Sequence, residues 1–353
     1  MKNQIVIPLL AMVLIASATA CNGSDSKEGN SMISAETLQR AVTDNSADSL
    51  MESEMPENSG EATGIITNSE DLALPLGEPV SLPDYFIGNA YLFPLIANEE
   101  VYNSPTMSNV TFEPGARNNW HSHEGGQILL VTGGVGYYQA DGQPAQILRE
   151  GDSVMIEPGV KHWHGATPDS WFAHIAIATN PDRTGGDWME AVTDEEYNTL
   201  DTEEFSGRAS GGESSDTDPS SDFIFPRGDQ FDSENFSGTV YLSPIVSNDE
   251  IFNCPTMSNV TFEPGVRNNW HVHGGGQIMI AVNGIGYHQI EGEPVEILYP
   301  GDVAMCPPGG KHWHGATADS WFAHIAVGVN PNIRGMEWLE PVTDEEYSSL
   351  PTE

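Results

Sequence analysis

Residues 101–200 align with residues 251–350 without a gap, and 62 of the 100 positions are identical. The shared runs include SNVTFEPG, KHWHGAT, DSWFAHIA and VTDEEY. A repeat of this length can close its own hydrophobic core, so it marks a duplicated domain rather than a short stacking unit. Any fold taken by one copy is taken by the other, and any site built in one is built twice. The sequence places the domains at 83–200 and 233–350, with a Ser- and Gly-rich linker over 201–232 between them.

Inside each copy, short apolar or alternating runs are separated by Gly, Pro and Asp turns. In the first copy these runs are NVTFE, QILLVTG, VGYYQ, AQILRE, SVMIE and WFAHIAIAT. That rhythm predicts an all-β fold, an antiparallel sandwich or barrel. One short helix is expected at the end of each domain. Thr193 stands three residues before Glu196, and Thr343 three before Glu346, the spacing of a capping box.

The chain has eleven histidines, and ten of them form five pairs related by the repeat. The pairs are His121/His271, His123/His273, His162/His312, His164/His314 and His174/His324; His288 stands opposite Tyr138. Residues i and i+2 of a strand share a face, so His121 projects beside His123, and His162 beside His164. Trp120 and Trp163 have the opposite phase and are expected to pack in the core. Two imidazoles on one strand edge supply neighbouring coordination positions. Gln127 follows after the Glu124-Gly125-Gly126 turn, and His162 comes from a distant strand. The predicted metal ligands are therefore His121, His123, Gln127 and His162, and in the second copy His271, His273, Gln277 and His312. His164 and His314 are predicted to line the pocket beside them.

These residues carry a resemblance. The stretch GARNNWHSHEGGQILLVTGG resembles the first cupin motif, with Gly115, His121, His123 and Gly134 in register and Gln127 at the usual glutamate position. Gly301, Pro307, Gly309 and His312 match the second motif; in the first copy Glu157 replaces the proline, and Ala166 or Ala316 replaces the closing asparagine. The resemblance implies two tandem jelly-roll barrels, a bicupin. With PPGGKHWHGAT and FAHIA, the chain is similar to small manganese cupins that act as hydroxynitrile lyases, and to cupins found beside carboxymuconolactone decarboxylase-like domains. That similarity implies His174 and His324 as proton-transfer residues lining the pocket; His164 and His314 are catalytic candidates on strand geometry alone, for hydrogen bonding as readily as for acid–base work.

Three imidazoles and an amide are neutral, so a divalent ion among them keeps its full charge and acts as a stronger Lewis acid than beside a glutamate. Four protein ligands leave positions open in an octahedron. This suits Mn²⁺ or Fe²⁺, one per domain, with other divalent metals possible. The expected function is metal-assisted lyase chemistry on a small molecule. An iron-dependent oxygenase and a non-catalytic metal or ligand binder are the alternatives.

The N-terminus, MKNQIVIPLLAMVLIASATACNGS, reads as an export signal over residues 1–20. The stretch before Cys21 resembles a lipoprotein cleavage box. Lipidation of Cys21 would make a periplasmic or cell-surface protein, touching the membrane only through its anchor. Residues 21–82 are acidic, lack aromatic side chains and read as a disordered tether. Fifty-two acids against twelve bases give a formal charge of −40, which disfavours nucleic acid as a partner. The paired bases Lys161/Lys311 and Arg117/Arg267 read as surface ion pairs. The spacing of Cys254 and Cys306 does not fix whether they bond, and the chain reads equally as a monomeric bicupin or a dimer.

Overall fold

The computed structural model describes residues 64–96, 104–180, 182–183, 185–200, 223–246, 254–330, 333 and 335–351. The export signal, Cys21, and residues 21–63 and 201–222 of the predicted tether and linker lie outside the described residues.

The first repeat folds as β1 (Ala90–Ile96), β2 (Met107–Phe112), β3 (His121–His123), β4 (Gln127–Ala140), β5 (Gln146–Arg149), β6 (Ser153–Ile156), β7 (His162–Ala166) and β8 (Phe172–Ala178). All of the pairings are antiparallel. One sheet runs β1-β2-β8-β4-β6, and the other joins the end of β4 to β5 and β7, then β3 and the short strand Gly186–Trp188. Strand β4 passes from one sheet to the other near Gly134. That residue has φ of +72°, and a side chain on it would collide with the carbonyl of Trp171. Only glycine meets both demands without strain.

The second repeat copies this order as β9 (Val240–Val246), β10 (Met257–Phe262), β11 (His271–His273), β12 (Gln277–Gly284), β13 (Gly286–Ile290), β14 (Glu296–Leu298), β15 (Val303–Cys306), β16 (Lys311–Ala316) and β17 (Phe322–Gly328). Here the long strand is interrupted at Ile285, so the two sheets are separate.

The uninterrupted apolar run ILLV in β4 has a structural cause. Leu129 and Val131 point into the barrel, beside Phe112 and Phe172. Ile128 and Leu130 point out, yet they are buried too. They join Ile175, Ile177, Ile278, Ile280, Ile325 and Val327 in a single apolar cluster that draws on both barrels. Each barrel thus covers the outer face of the other's first sheet, and both faces of the strands are apolar for that reason.

Two of the sequence boundaries need correction. Residues 64–82 fall in the predicted tether and 223–232 in the predicted linker, yet both segments pack. Leu74, Ile224 and Phe225 are buried in the cluster between the barrels. Asn109 Nδ2 donates to the Pro75 carbonyl at 3.1 Å, and Asn259 Nδ2 donates to the Pro226 carbonyl at 3.1 Å. A side chain on Gly301 would collide with the ring of Pro75, and one on Gly151 would lie 2.7 Å from the Ile224 carbonyl. Each arm is therefore fastened to its own barrel and laid over the other. Averaged composition hid the few apolar residues that do this. Leu74→Ala is expected to lower stability by about 2–4 kcal/mol in urea unfolding, the range for a buried leucine. A loss under about 0.5 kcal/mol, typical of an exposed position, would return the segment to the tether.

The expected helices are present as α1 (Asp194–Asn198) and α2 (Asp344–Ser348), each with both hydrogen bonds of its capping box. They close the outer face of the second sheet. There Trp163 and Trp120 pack with Tyr137 and Tyr197, as strand phase predicted. Lys161 and Lys311 form exposed ion pairs with Glu190 and Glu340. Arg117 is not a surface residue. Its side chain is 3% exposed, and the guanidinium lies over the Tyr197 ring and bonds the Val192 carbonyl and Asp194, so it fastens the helix to the barrel. Arg267 does the same with Tyr347, Val342 and Asp344.

Candidate metal centres

Strand β3 lies antiparallel to β7 with His121 directly opposite His162, which brings the two halves of the predicted site together. The tight turn at Gly125 and Gly126 then returns the chain so that Gln127 opens β4. The donor nitrogens of His121, His123 and His162 all lie within 4.8 Å of one another. Gln127 Oε1 is 3.1 Å from His162 Nε2, and Gln277 Oε1 is 2.9 Å from His312 Nε2.

In the second barrel the same 4.8 Å limit groups His271 and His312 with His314 instead of His273. The ring spacings argue for the first arrangement in both barrels. His271–His273 and His273–His312 are 5.1 and 5.6 Å apart, as are His121–His123 and His123–His162. Ring spacing reflects the backbone scaffold, whereas a single atom's distance changes with a small ring rotation, so His273 stays in the set.

The donor set fits a divalent metal on three grounds. His121 Nδ1 lies 2.9 Å from the Asn119 carbonyl and His162 Nδ1 lies 2.9 Å from the Val160 carbonyl; His271 and His312 repeat this with Asn269 and Gly310. A carbonyl can only accept, so Nδ1 carries the proton and each Nε2 presents a lone pair. Burial then keeps the rings neutral. It pushes His162 and His271 down to about 3 and His123 to about 4, and holds His121 well below the usual histidine value, with neighbouring imidazoles adding to the effect on His121 and His162. Finally, the buried Nε2 atoms of His123 and His273 have no hydrogen-bond partner, and the Nε2 lone pairs of His162 and His312 face an amide oxygen that is also an acceptor. A cation held by these groups satisfies all of them at once.

His164 and His174 lie beside this set, both buried. The Asn118 Oδ1 accepts from the His164 backbone N–H at 2.9 Å, which fixes the amide and turns Nδ2 toward the ring, 3.0 Å from His164 Nε2. His164 therefore carries its proton on Nδ1 and donates to His174 Nε2 at 3.1 Å. The remaining nitrogen, His174 Nδ1, then carries a proton and has no partner. In the second barrel Asn268 holds His314 in the same way. The onward bond is missing there, and both ring nitrogens of His324 lack partners although the rings lie 4.8 Å apart.

The sequence reading did not identify these asparagines, although they stand in the repeated run RNNWH. Two residues the sequence singled out, Cys306 and His288, prove to lie near the second set. Cys306 Sγ lies 3.0 Å from His312 Nδ1, and His288 Nδ1 lies 2.8 Å from Glu296 Oε2. Cys254 and Cys306 are both buried, with no disulfide between them. A surface hollow of about 370 Å³ lined by Trp270, Lys311 and Trp313 opens on the opposite face of β16 from His312 and His314, away from the imidazoles.

Comparison with known proteins places this geometry. The cupin domain model matches residues 108–174, which run from β2 through the ligands of the first set to His174. An (R)-mandelonitrile lyase of Granulicella tundricola is 44% identical over 117 residues, covering 32% of this chain and 86% of the lyase. The chain belongs to the cupin family. With two barrels it is a bicupin. Among solved structures, a cupin-like protein of Thermotoga maritima is 45% identical, with 37% of this bicupin and 97% of that chain covered and a TM-score of 0.35. Oxalate decarboxylase of Bacillus subtilis is 15% identical, with 88% of this chain and 95% of that chain covered and a TM-score of 0.47.

Proposed function

We propose that this bicupin is a metal-dependent lyase that cleaves a cyanohydrin of the mandelonitrile kind to an aldehyde and hydrogen cyanide. One observation carries the reading. The chain builds, twice, a largely buried set of three imidazoles and an amide, and 117 of its residues align at 44% identity with a mandelonitrile lyase. His121, His123, Gln127 and His162 would hold one ion, Mn²⁺ or Fe²⁺, and His271, His273, Gln277 and His312 the other. When bound, such an ion supplies Lewis acidity toward a substrate oxygen or cyano group.

The protein's own contribution is orientation and proton handling. Cleavage breaks the bond between the carbinol and cyano carbons; the hydroxyl proton leaves and the departing cyanide gains one. The Asn118–His164–His174 chain fixes His174 with its N–H on Nδ1, where it can hydrogen-bond the departing cyanide, while the proton that the cyanide gains is the one the hydroxyl loses. Burial keeps the pair neutral, pushing His174 down to about 3 and His164 well below the usual value. His314 and His324 take these places in the second barrel, where burial again pushes His324 down to about 3. We infer as well, from the leader-like residues 1–20 and Cys21, that the enzyme works outside the cytoplasm on a lipid anchor.

Replacing Gln127 and Gln277 together by Glu tests the lyase reading. The acid keeps the side-chain length and retains the metal, but it lowers the charge felt by a developing anion. Cyanohydrin cleavage is expected to fall by about one to two orders of magnitude with metal content unchanged. Unchanged cleavage with rising oxygen uptake would favour an oxygenase. Activity in neither assay, before or after the exchange, would favour a binding module.

A further inference from the structure

Among the described residues, five buried ring nitrogens of the second barrel have no hydrogen-bond partner: His273 Nε2, His288 Nε2, His314 Nδ1 and both nitrogens of His324. In the first barrel only His123 Nε2 and His174 Nδ1 are in this state. The surplus gathers around His288, the one histidine without a counterpart.

His288 is fully buried on β13. It stands opposite His314 in register, with its ring 5.7 Å from that of His312. Its register with His314 and its ring contact with His312 place it in the interior of the second site. Glu296, opposite on β14, has a side chain 59% exposed at the barrel rim and accepts a hydrogen bond from Nδ1–H at 2.8 Å. With Nδ1 tied outward, Nε2 is turned inward and presents a lone pair. The first barrel has Tyr138 and Gln146 at this cross-strand pair, so both members differ together. A tyrosine hydroxyl both donates and accepts, whereas an imidazole held this way only accepts.

We propose that His288 Nε2 accepts a hydrogen bond from a hydroxyl group of the molecule bound at the second centre, so that this barrel discriminates an α-hydroxy ligand from its ether more strongly than the first barrel does. Glu296 is the positioning residue that keeps the lone pair inward. The assignment rests on the metal reading above and names the ligand class of one of its two sites.

The test uses the full chain with His121→Ala and His123→Ala, loaded with Mn²⁺, so that only the second centre is filled. The probes are glycolate and methoxyacetate, which offer matching oxygens but differ in the hydroxyl proton, and calorimetry reads their Kd values. Glycolate is expected to bind about tenfold more tightly, the size of one buried hydrogen bond. His288→Phe should bring the ratio to within about twofold, leaving methoxyacetate affinity and manganese content unchanged; Glu296→Gln should fall between. The complementary chain, with His271→Ala and His273→Ala, should gain the preference on Tyr138→His with Gln146→Glu. An unchanged ratio in His288→Phe overturns the proposal. If that variant does not fold, an unchanged ratio in Glu296→Gln together with no gain in the first barrel overturns it equally. No manganese retained in the starting variant would instead overturn the metal reading, and this assignment with it.

Discussion

Changing His121 and His271 to Ala in one chain is expected to reduce bound metal from two ions to none, and each single change to leave one. His121 holds the centre of its set. It faces His162 across the β3–β7 pairing, its ring lies 5.1 Å from His123 and 4.2 Å from His162, and its Nδ1 is fixed by the Asn119 carbonyl. Removing it leaves two imidazoles and an amide, too few neutral donors to repay dehydration of a divalent ion. Cleavage should drop by about three orders of magnitude or more in the double variant, since loss of a catalytic metal removes both charge stabilisation and substrate orientation. The singles should keep about half of the total if both barrels turn over. Elemental analysis gives the stoichiometry, and circular dichroism on the same samples checks that the barrels remain folded. One ion per wild-type chain would refute the two-site reading at once.

The ligands were legible in the sequence because strand periodicity is strict. His-x-His on a strand leaves no choice of face, and the offset to Gln127 spans a single glycine turn. The same strictness placed Trp163 under α1 and read both capping boxes correctly. What stayed hidden was long-range. Ile128 and Leu130 read only as part of an apolar strand, and nothing local shows that a second barrel covers them. Leu74 and Ile224 are isolated apolar residues in polar stretches, so composition assigned them to tether and linker. Arg117 looked like a surface base because charge is usually solvated. Its burial depends on Tyr197 and the Val192 carbonyl, 75 residues or more away. Glu124, one turn before Gln127, carries a negative charge whose direction the sequence does not fix. It is exposed, with its carboxylate against Gly185.

Acid should destabilise the metal-free protein steeply, and well before it titrates the folded site. In the unfolded chain the histidines take up protons near pH 6.5. In the fold, burial holds His162, His174, His271 and His324 at about 3 and His123 at about 4, and pushes His121, His164 and His314 well down. Below pH 6.5 the unfolded state therefore binds more protons than the folded state, so stability is fully present above that pH and is lost as pH falls toward about 3–4. Each fully depressed histidine contributes a loss of about 2 kcal/mol between pH 7 and 5, and several acting together exceed the total stability of many domains. The urea midpoint of the apoprotein should fall sharply over this interval. Metal should follow a different course from that set by ordinary histidines, which would release it at about pH 5–6. The buried ligands stay neutral in the fold, and bound metal stabilises that fold further. Metal should therefore remain through pH 5 and leave only as near-ultraviolet dichroism is lost. Release near pH 6 from a protein whose dichroism is still native would show that the imidazoles titrate individually, and that burial does not govern them.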